Sequence, residues 1–221
     1  MKLFFEAIIK FLLGVVLIGL LVFLPAGTLN YINGWIFMGV LFIPMFVAGI
    51  VMLIKSPNLL RSRLDAKEKQ KEQNLVIKLS GLMFVAGFVV AGLDYRYNWI
   101  EVPMYVSYIA TGFFILAYIM YAFVLKQNAY LSRTIKVQEN QKVVSTGLYG
   151  VVRHPMYSAT IILFLSMPLI LGSLVAFFIF LIYPILIGFR AVNEEKVLAK
   201  ELEGYEEYMQ KVKYRIIPFI W

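Results

Sequence analysis

The sequence predicts an all-α integral-membrane protein: a multi-span helical bundle of four long spans plus a C-terminal helical hairpin, ending in a cytoplasmic C-terminal helix and tail. Three observations predict it. Of 221 residues, 61% are apolar, and the mean hydropathy is +0.79, too hydrophobic for an ordinary water-soluble domain. Charged residues make up only 15% of the chain and fall in clusters between apolar runs. Four of those runs approach or exceed the ~20 residues a helix needs to cross a bilayer.

The first run is Leu3 to Leu24, ended by Pro25-Ala26-Gly27 and a turn at Asn30-Tyr31-Ile32-Asn33-Gly34. It begins like a signal peptide but runs on without a small-residue cleavage site, which predicts a retained span. The second, Trp35 to Ile54, holds Pro44, tolerable where neighbours satisfy the freed carbonyl. Residues 55–74 form a basic stretch with interleaved acids Asp65, Glu68 and Glu72, expected to be a solvated amphipathic connector. The third run is Leu75 to Leu93. A polar and aromatic link through Glu101 resembles an interfacial belt, and the fourth run is Val102 to Leu125.

A polar segment, Lys126 to Val152, follows; its alternation at Thr134-Ile135-Lys136-Val137-Gln138 suggests an extended piece. Tyr157–Leu171 and Leu174–Phe189 are two shorter apolar runs broken by Gly172-Ser173. A hairpin that returns to its starting side is the economical solution. A polar helix then opens at Arg190.

Charge selects the orientation. With the N-terminus inside, eighteen of the twenty-one Lys and Arg lie in inner segments. Lys10 and Lys78 sit at the inner ends of their spans, where they can snorkel, and only Arg96 falls outside. Both termini are therefore expected in the cytoplasm. The net charge of +8 fits loops facing anionic lipid better than a nucleic-acid partner.

Composition also excludes chemistry. There is no cysteine, so disulfides, thiolate catalysis and thiolate metal sites are ruled out. One histidine makes an all-protein zinc site improbable. A Ser–His–Asp triad would have to draw on that histidine and either Asp65 or Asp94. Nucleotide-binding glycine motifs, the nucleophile elbow and the HExxH motif are all absent.

Two stretches remain. Gly147 to Tyr157 holds the single histidine, His154, between Arg153 and Pro155 and flanked by Tyr149 and Tyr157. Pro155 restricts His154 to an extended backbone and is suited to the first position of a helix. The three rings suit a polar aromatic ligand, although an interfacial histidine among belt tyrosines fits them equally. In the second stretch Arg190 and Glu194 share a helix face, and Glu194-Glu195 would suit an ammonium or sulfonium cation. An ordinary solvated helix with an internal ion pair fits as well.

Taken together, Gly147-x-Tyr149-x3-Arg153-His154-Pro155-Met156-Tyr157, Arg190-x3-Glu194-Glu195 and Gly204-Tyr205-x2-Tyr208-x3-Val212-x2-Arg215-x2-Pro218 resemble the isoprenylcysteine carboxyl methyltransferase family. That superfamily includes membrane phospholipid methyltransferases. The resemblance covers roughly residues 100–221. It implies an N-terminal scaffold of spans over 1–100 and a catalytic region over 101–221, integrated as one domain, in a bacterial or archaeal cell membrane. It also implies S-adenosylmethionine as cofactor, held by His154, Pro155, Met156 and Tyr157, with Tyr149, Val143 and Val144 completing the pocket. Glu194 would bind the cofactor's charged methionyl end. Arg190 would orient an anionic acceptor, and Glu195 is the second candidate catalytic residue. The acceptor is expected to be lipophilic or lipid-linked, with isoprenylcysteine-like carboxyl methylation as one form.

Two competing functions stand beside this one. Some membrane sterol reductases resemble the same C-terminal architecture and use NADPH, whose 2′-phosphate Lys136, Lys142 and Arg153 would meet. A non-enzymatic transporter or scaffold fits less well, since ionisable groups are nearly absent from the middle of the spans.

Overall fold

A computed structural model describes residues 2–64, 71–128, 130, 131, 137 and 140–221. The N-terminal half holds α1 (Lys2–Ala26), α2 (Ile32–Lys55), a short α3 (Pro57–Leu64), α4 (Lys71–Tyr97) and α5 (Met104–Gln127). The C-terminal part holds a 3₁₀ turn at Gly147–Gly150, then α6 (Pro155–Ile170), α7 (Leu174–Phe180), α8 (Ile182–Glu201) and α9 (Tyr205–Lys211). Among the described residues there is no strand. Among the described residues, five segments are long and apolar enough to cross a membrane: the four long helices and the 28-residue Leu174–Glu201, which runs through α7 and α8. With the 16-residue α6, the last forms the expected hairpin. The protein is an integral-membrane helical bundle.

The hairpin turn is clamped by the N-terminal helices. Gly172 adopts φ +73°, open to glycine without strain, and a Cβ there would lie 3.0 Å from the Asn33 side chain. The carbonyls left free at the end of α6 need donors. Tyr31 donates to Leu171 O, and the Asn33 amide donates to Ile170 O at 3.0 Å. Ser173 caps α7 by accepting from Ala176 N and donates its hydroxyl to buried Asp94. The tip of the hairpin is thereby tied to α2 and α4.

Below the turn, α6 lies along α5 and α7 against α4. Phe88, Phe114 and Phe180 are fully buried. Phe84 of α4 meets the edges of Phe164 and Phe180 at 4.8 and 5.4 Å. Close approach needs small residues: a Cβ on Gly87 would come within 2.2 Å of Phe180. The outward faces of α1, α2 and α5 stay apolar and exposed, as lipid-facing surfaces are.

Two expectations change here. The polar helix expected to open at Arg190 is the continuation of α8: Pro184 sits in its first turn, and after Gly188 no proline or glycine interrupts it through Glu201. The 55–74 stretch is not simply a solvated connector. Pro57–Leu64 is helical with Leu60 buried, and Gln73 is fully buried at the start of α4. The extended piece expected at 134–138 lies, apart from Val137, outside the described residues, as do Asp65, Lys67, Glu68 and Lys69.

Candidate functional site

The site is built around the start of α6. Pro155 occupies the first helical position, and His154, at φ −124° and ψ 63°, stands outside the helix as its N-cap residue. That non-helical backbone follows from the proline ring's clash with the preceding residue. It also frees two amides. Arg153 N and His154 N donate to Tyr214 O and Arg215 O at 2.9 and 2.8 Å, so the tail runs beside this segment.

The Arg153 side chain completes the attachment. Its Nε donates to Glu195 Oε1 at 2.6 Å, and its terminal nitrogen donates to Val212 O and Lys213 O at 2.7 and 2.9 Å. Glu195 Oε2 accepts from Arg215 Nε at 2.8 Å. His154 Nε2 lies 3.3 Å from Glu195 Oε1, and Nδ1 lies 3.9 Å from Glu194 Oε2. A carboxylate this deeply buried is tolerable only because charged donors surround it.

A second anchor is Tyr149, held in the 3₁₀ turn. Gly147 starts that turn at φ +61°, and a Cβ there would strike the Gln127 side chain at 2.2 Å. Asn128 donates to the Tyr149 hydroxyl at 3.1 Å, and the Tyr208 hydroxyl donates to Tyr149 O at 2.7 Å. Burial pushes the Tyr149 phenol up to about 12, and the phenols of Tyr205 and Tyr208 also lie above their usual value through burial. All three are neutral hydrogen-bonding groups near neutral pH.

Between these anchors lies a cleft. Val143, Val144 and Tyr149 line one side, and His154, Met156, Tyr157 and Glu194 line another. The structure brings these seven expected residues together. Three others stand outside the lining. Pro155 is fully buried at the helix start. Glu195 sits behind His154 and Arg153. Arg190 lies one turn back along α8, where its Nε donates to the Tyr157 hydroxyl at 3.1 Å and its terminal nitrogen donates to Gln73 Oε1 at 3.2 Å. The Tyr157 hydroxyl in turn donates to Glu194, and its ring stacks on His154 at 5.3 Å between centroids.

The cleft also has walls to which the sequence assigned no role. Tyr205 and Tyr208 of α9 close it with Leu198 and Leu202 of α8. Tyr205 is 4% exposed, yet its hydroxyl has no hydrogen-bond partner among the described residues. A buried hydroxyl left unpaired costs free energy, so this atom points to a ligand. The Tyr205-x2-Tyr208 spacing was a usable signal. Asn128, at the end of α5, had none. The side chains present fit a cationic, partly aromatic cofactor: one carboxylate, Glu194, faces the cleft among five tyrosines and a histidine.

Comparison with known proteins gives this geometry a lineage. Residues 101–203 match the model of the phospholipid methyltransferase family. A delta(14)-sterol reductase of Mus musculus is 34% identical over 91 residues, 40% of this chain and 22% of that protein. A delta(14)-sterol reductase of Methylotuvimicrobium alcaliphilum is 29% identical over 93 residues, 41% of this chain and again 22% of that protein. The matched stretch thus spans about a fifth of the length of these relatives. The family match runs from the loop before α5 to the end of α8 and contains both walls of the cleft contributed by α6 and α8. Residues 101–203, just under half of the chain, are thus similar to the phospholipid methyltransferase family.

Proposed function

We propose that the chain is an S-adenosylmethionine-dependent methyltransferase acting on a lipophilic or lipid-linked acceptor at the cytoplasmic membrane face. Residues 101–221 would carry the chemistry and 1–100 the scaffold. The observation that carries the proposal is the cleft itself, where the Glu194 carboxylate and the unpartnered, buried Tyr205 hydroxyl face one space within the family region and its adjoining tail. When bound, the cofactor supplies a methyl group on a sulfonium, ready for in-line displacement. Glu194 would hold its charged methionyl end, and Tyr205 would satisfy one of its polar atoms. Val143, Val144, Tyr149, His154 and Tyr157 would bound the remainder and exclude water.

Arg190 stands on the far side of Tyr157 and would orient the acceptor. Glu195 is already engaged by two guanidinium groups and His154; its role would be to position His154 and the tail. A carboxylate acceptor is ionised near neutral pH and needs no base, so isoprenylcysteine-like carboxyl methylation is the specific form the proposal favours.

The sterol reductase relatives favour a second reading, NADPH-dependent reduction. Of the cations considered for a 2′-phosphate, Arg153 is committed to Glu195 and the tail carbonyls, Lys142 lines the cleft, and Lys136 lies outside the described residues. That commitment favours the methyltransferase. Calorimetry of the purified full-length protein with each cofactor separates the two. Uptake of S-adenosylmethionine, with label passing from its methyl group into a membrane lipid extract, is expected; uptake of NADPH alone would reverse the assignment.

A further inference from the structure

Beyond its attachment at Arg153 and His154, the tail turns back along the spans. Ser158, in the first turn of α6, donates to Ile216 O, and Ile216 is 1% exposed within the core that the spans share. The Trp221 ring then closes on α8, where a Cβ on Gly188 would lie 3.4 Å from it. Gly188 precedes Arg190 by about 3 Å of helix, on the apolar side. Residues 216–221 therefore run past the polar end of α8 toward its apolar part.

The turn they form keeps its backbone to itself and leaves its side chains bare. The amides of Ile216 and Ile217 donate to Trp221 O at 2.9 and 3.0 Å, and those of Ile220 and Trp221 donate to Ile217 O at 3.2 and 3.1 Å. Internal pairing of this kind is what non-helical backbone needs where water is scarce. Yet Phe219 is 85% and Ile220 77% exposed, an apolar tip with nothing to gain from water. Polar groups stand behind it. The Arg215 guanidinium lies over the Trp221 ring at 5.1 Å, and Lys211 and Lys213 are exposed. Apolar tip, aromatic collar and cations follow one another as they do in an interfacial anchor. The neighbours say what covers the tip. Ile185 and Phe189, on either side of Gly188 in α8, are exposed too, and they belong to a segment apolar enough to cross a membrane. The tip continues a surface that lipid covers.

We infer that residues 216–221 form a hook that re-enters the bilayer at the membrane face bearing the cleft. Phe219 and Ile220 sit among acyl chains there, and Lys211 and Lys213 meet anionic head groups. The partner is the lipid surface itself, whichever reaction the cleft carries out. Lipid thereby holds the tail in place against α6 and α8, in addition to the Arg153 and Glu195 contacts.

A chain without cysteine makes the test direct. Phe219→Cys, Ile220→Cys and Lys213→Cys, each in the full-length protein, are labelled with an environment-sensitive fluorophore and placed in nanodiscs of zwitterionic lipid. Lipid spin-labelled near the head of its acyl chain should quench the probes at 219 and 220 about threefold or more beyond the probe at 213. Iodide in the water should reverse that order. Exchanging part of the lipid for an anionic one should raise the lipid quenching at 220 about twofold, and Lys211→Gln with Lys213→Gln should abolish the gain. Phe219→Asp with Ile220→Asp should free the tail, so that proteolysis in nanodiscs cuts it about tenfold faster than in the parent. Probes at 219 and 220 as open to iodide as the one at 213 would overturn the hook. Probes shielded from iodide yet untouched by spin-labelled lipid would overturn it as well, giving the tip to a second copy of the chain. Equal cleavage of the aspartate variant and the parent would deny that lipid holds the tail, and an anionic gain that survives the lysine changes would remove the head-group contact.

Discussion

Glu195 of α8 and Arg153 ahead of α6 meet at 2.6 Å across 42 positions of sequence, and both are buried. Through that contact the end of α8, the start of α6 and the tail become one unit. Arg153 also takes two tail carbonyls, and Glu195 takes Arg215 from the same tail.

Glu195→Ala should therefore detach the tail. Removing one partner of a buried pair leaves two guanidinium groups uncompensated, at a cost of about 3–5 kcal/mol. Limited proteolysis in detergent should show cleavage near Gly204 in the variant at protease levels that spare the parent. Equal protection of the tail in both proteins would contradict the anchoring role.

Tyr205→Phe has opposite expected effects on stability and binding. The hydroxyl has no partner among the described residues, so its removal should leave thermal stability unchanged or raise it by up to about 1 kcal/mol. Affinity for S-adenosylmethionine should fall by roughly 3–10-fold. Glu194→Gln should cost more, about tenfold or beyond, because it removes charge from a charged contact. If calorimetry finds both variants binding as the parent does, the cleft is not the cofactor site.

Alkaline pH should loosen the same region. Tyr149 is raised from 10.0 to about 12 and lies 7% exposed; Tyr205 and Tyr208 shift the same way. Above pH 10 the unfolded chain releases protons that the folded one retains, so stability falls with rising pH. The contribution is complete below pH 10 and is lost as pH climbs through 12, about 3 kcal/mol for Tyr149 alone. Tyrosinate absorbance should rise together with protease sensitivity of the tail. Ionisation completed near pH 10, with the tail still protected, would contradict it.

Glycines in α4 offer a contrast between two positions. A Cβ on Gly92 would lie 2.6 Å from the backbone oxygen of Val22 in α1, whereas a Cβ on Gly81 meets nothing within 4 Å. Gly92→Ala should force α1 and α4 apart at about 1–3 kcal/mol. Gly81→Ala should be neutral or slightly stabilising. Thermal unfolding of the two variants under the same detergent conditions compares them directly, and equal melting points would deny the close α1–α4 contact.

Much of the architecture was readable because a bilayer imposes length and polarity on each segment independently. A run such as Trp35–Ile54 needs no partner to be recognised as a span, and Pro155 sets the backbone of His154 through purely local sterics. The motif residues His154, Tyr157 and Glu194 were legible for the same reason: order and spacing are local properties. That Arg190 prolongs α8 was less visible, since a change from apolar to polar residues resembles a boundary although the backbone passes through it unbroken.

What the sequence by itself determined is the set of spans, the hairpin and the two motifs that meet at the cleft. Only the tertiary structure decided how they are used: that Arg153 and Glu195 hold the tail, that Tyr205 closes the cleft, and that Gln73 of α4 reaches Arg190 across 117 positions. The physical reason is range. Helix formation and membrane partition depend on neighbours along the chain, whereas a buried hydrogen bond depends on which distant donor meets which acceptor. That pairing exists only once the helices have packed.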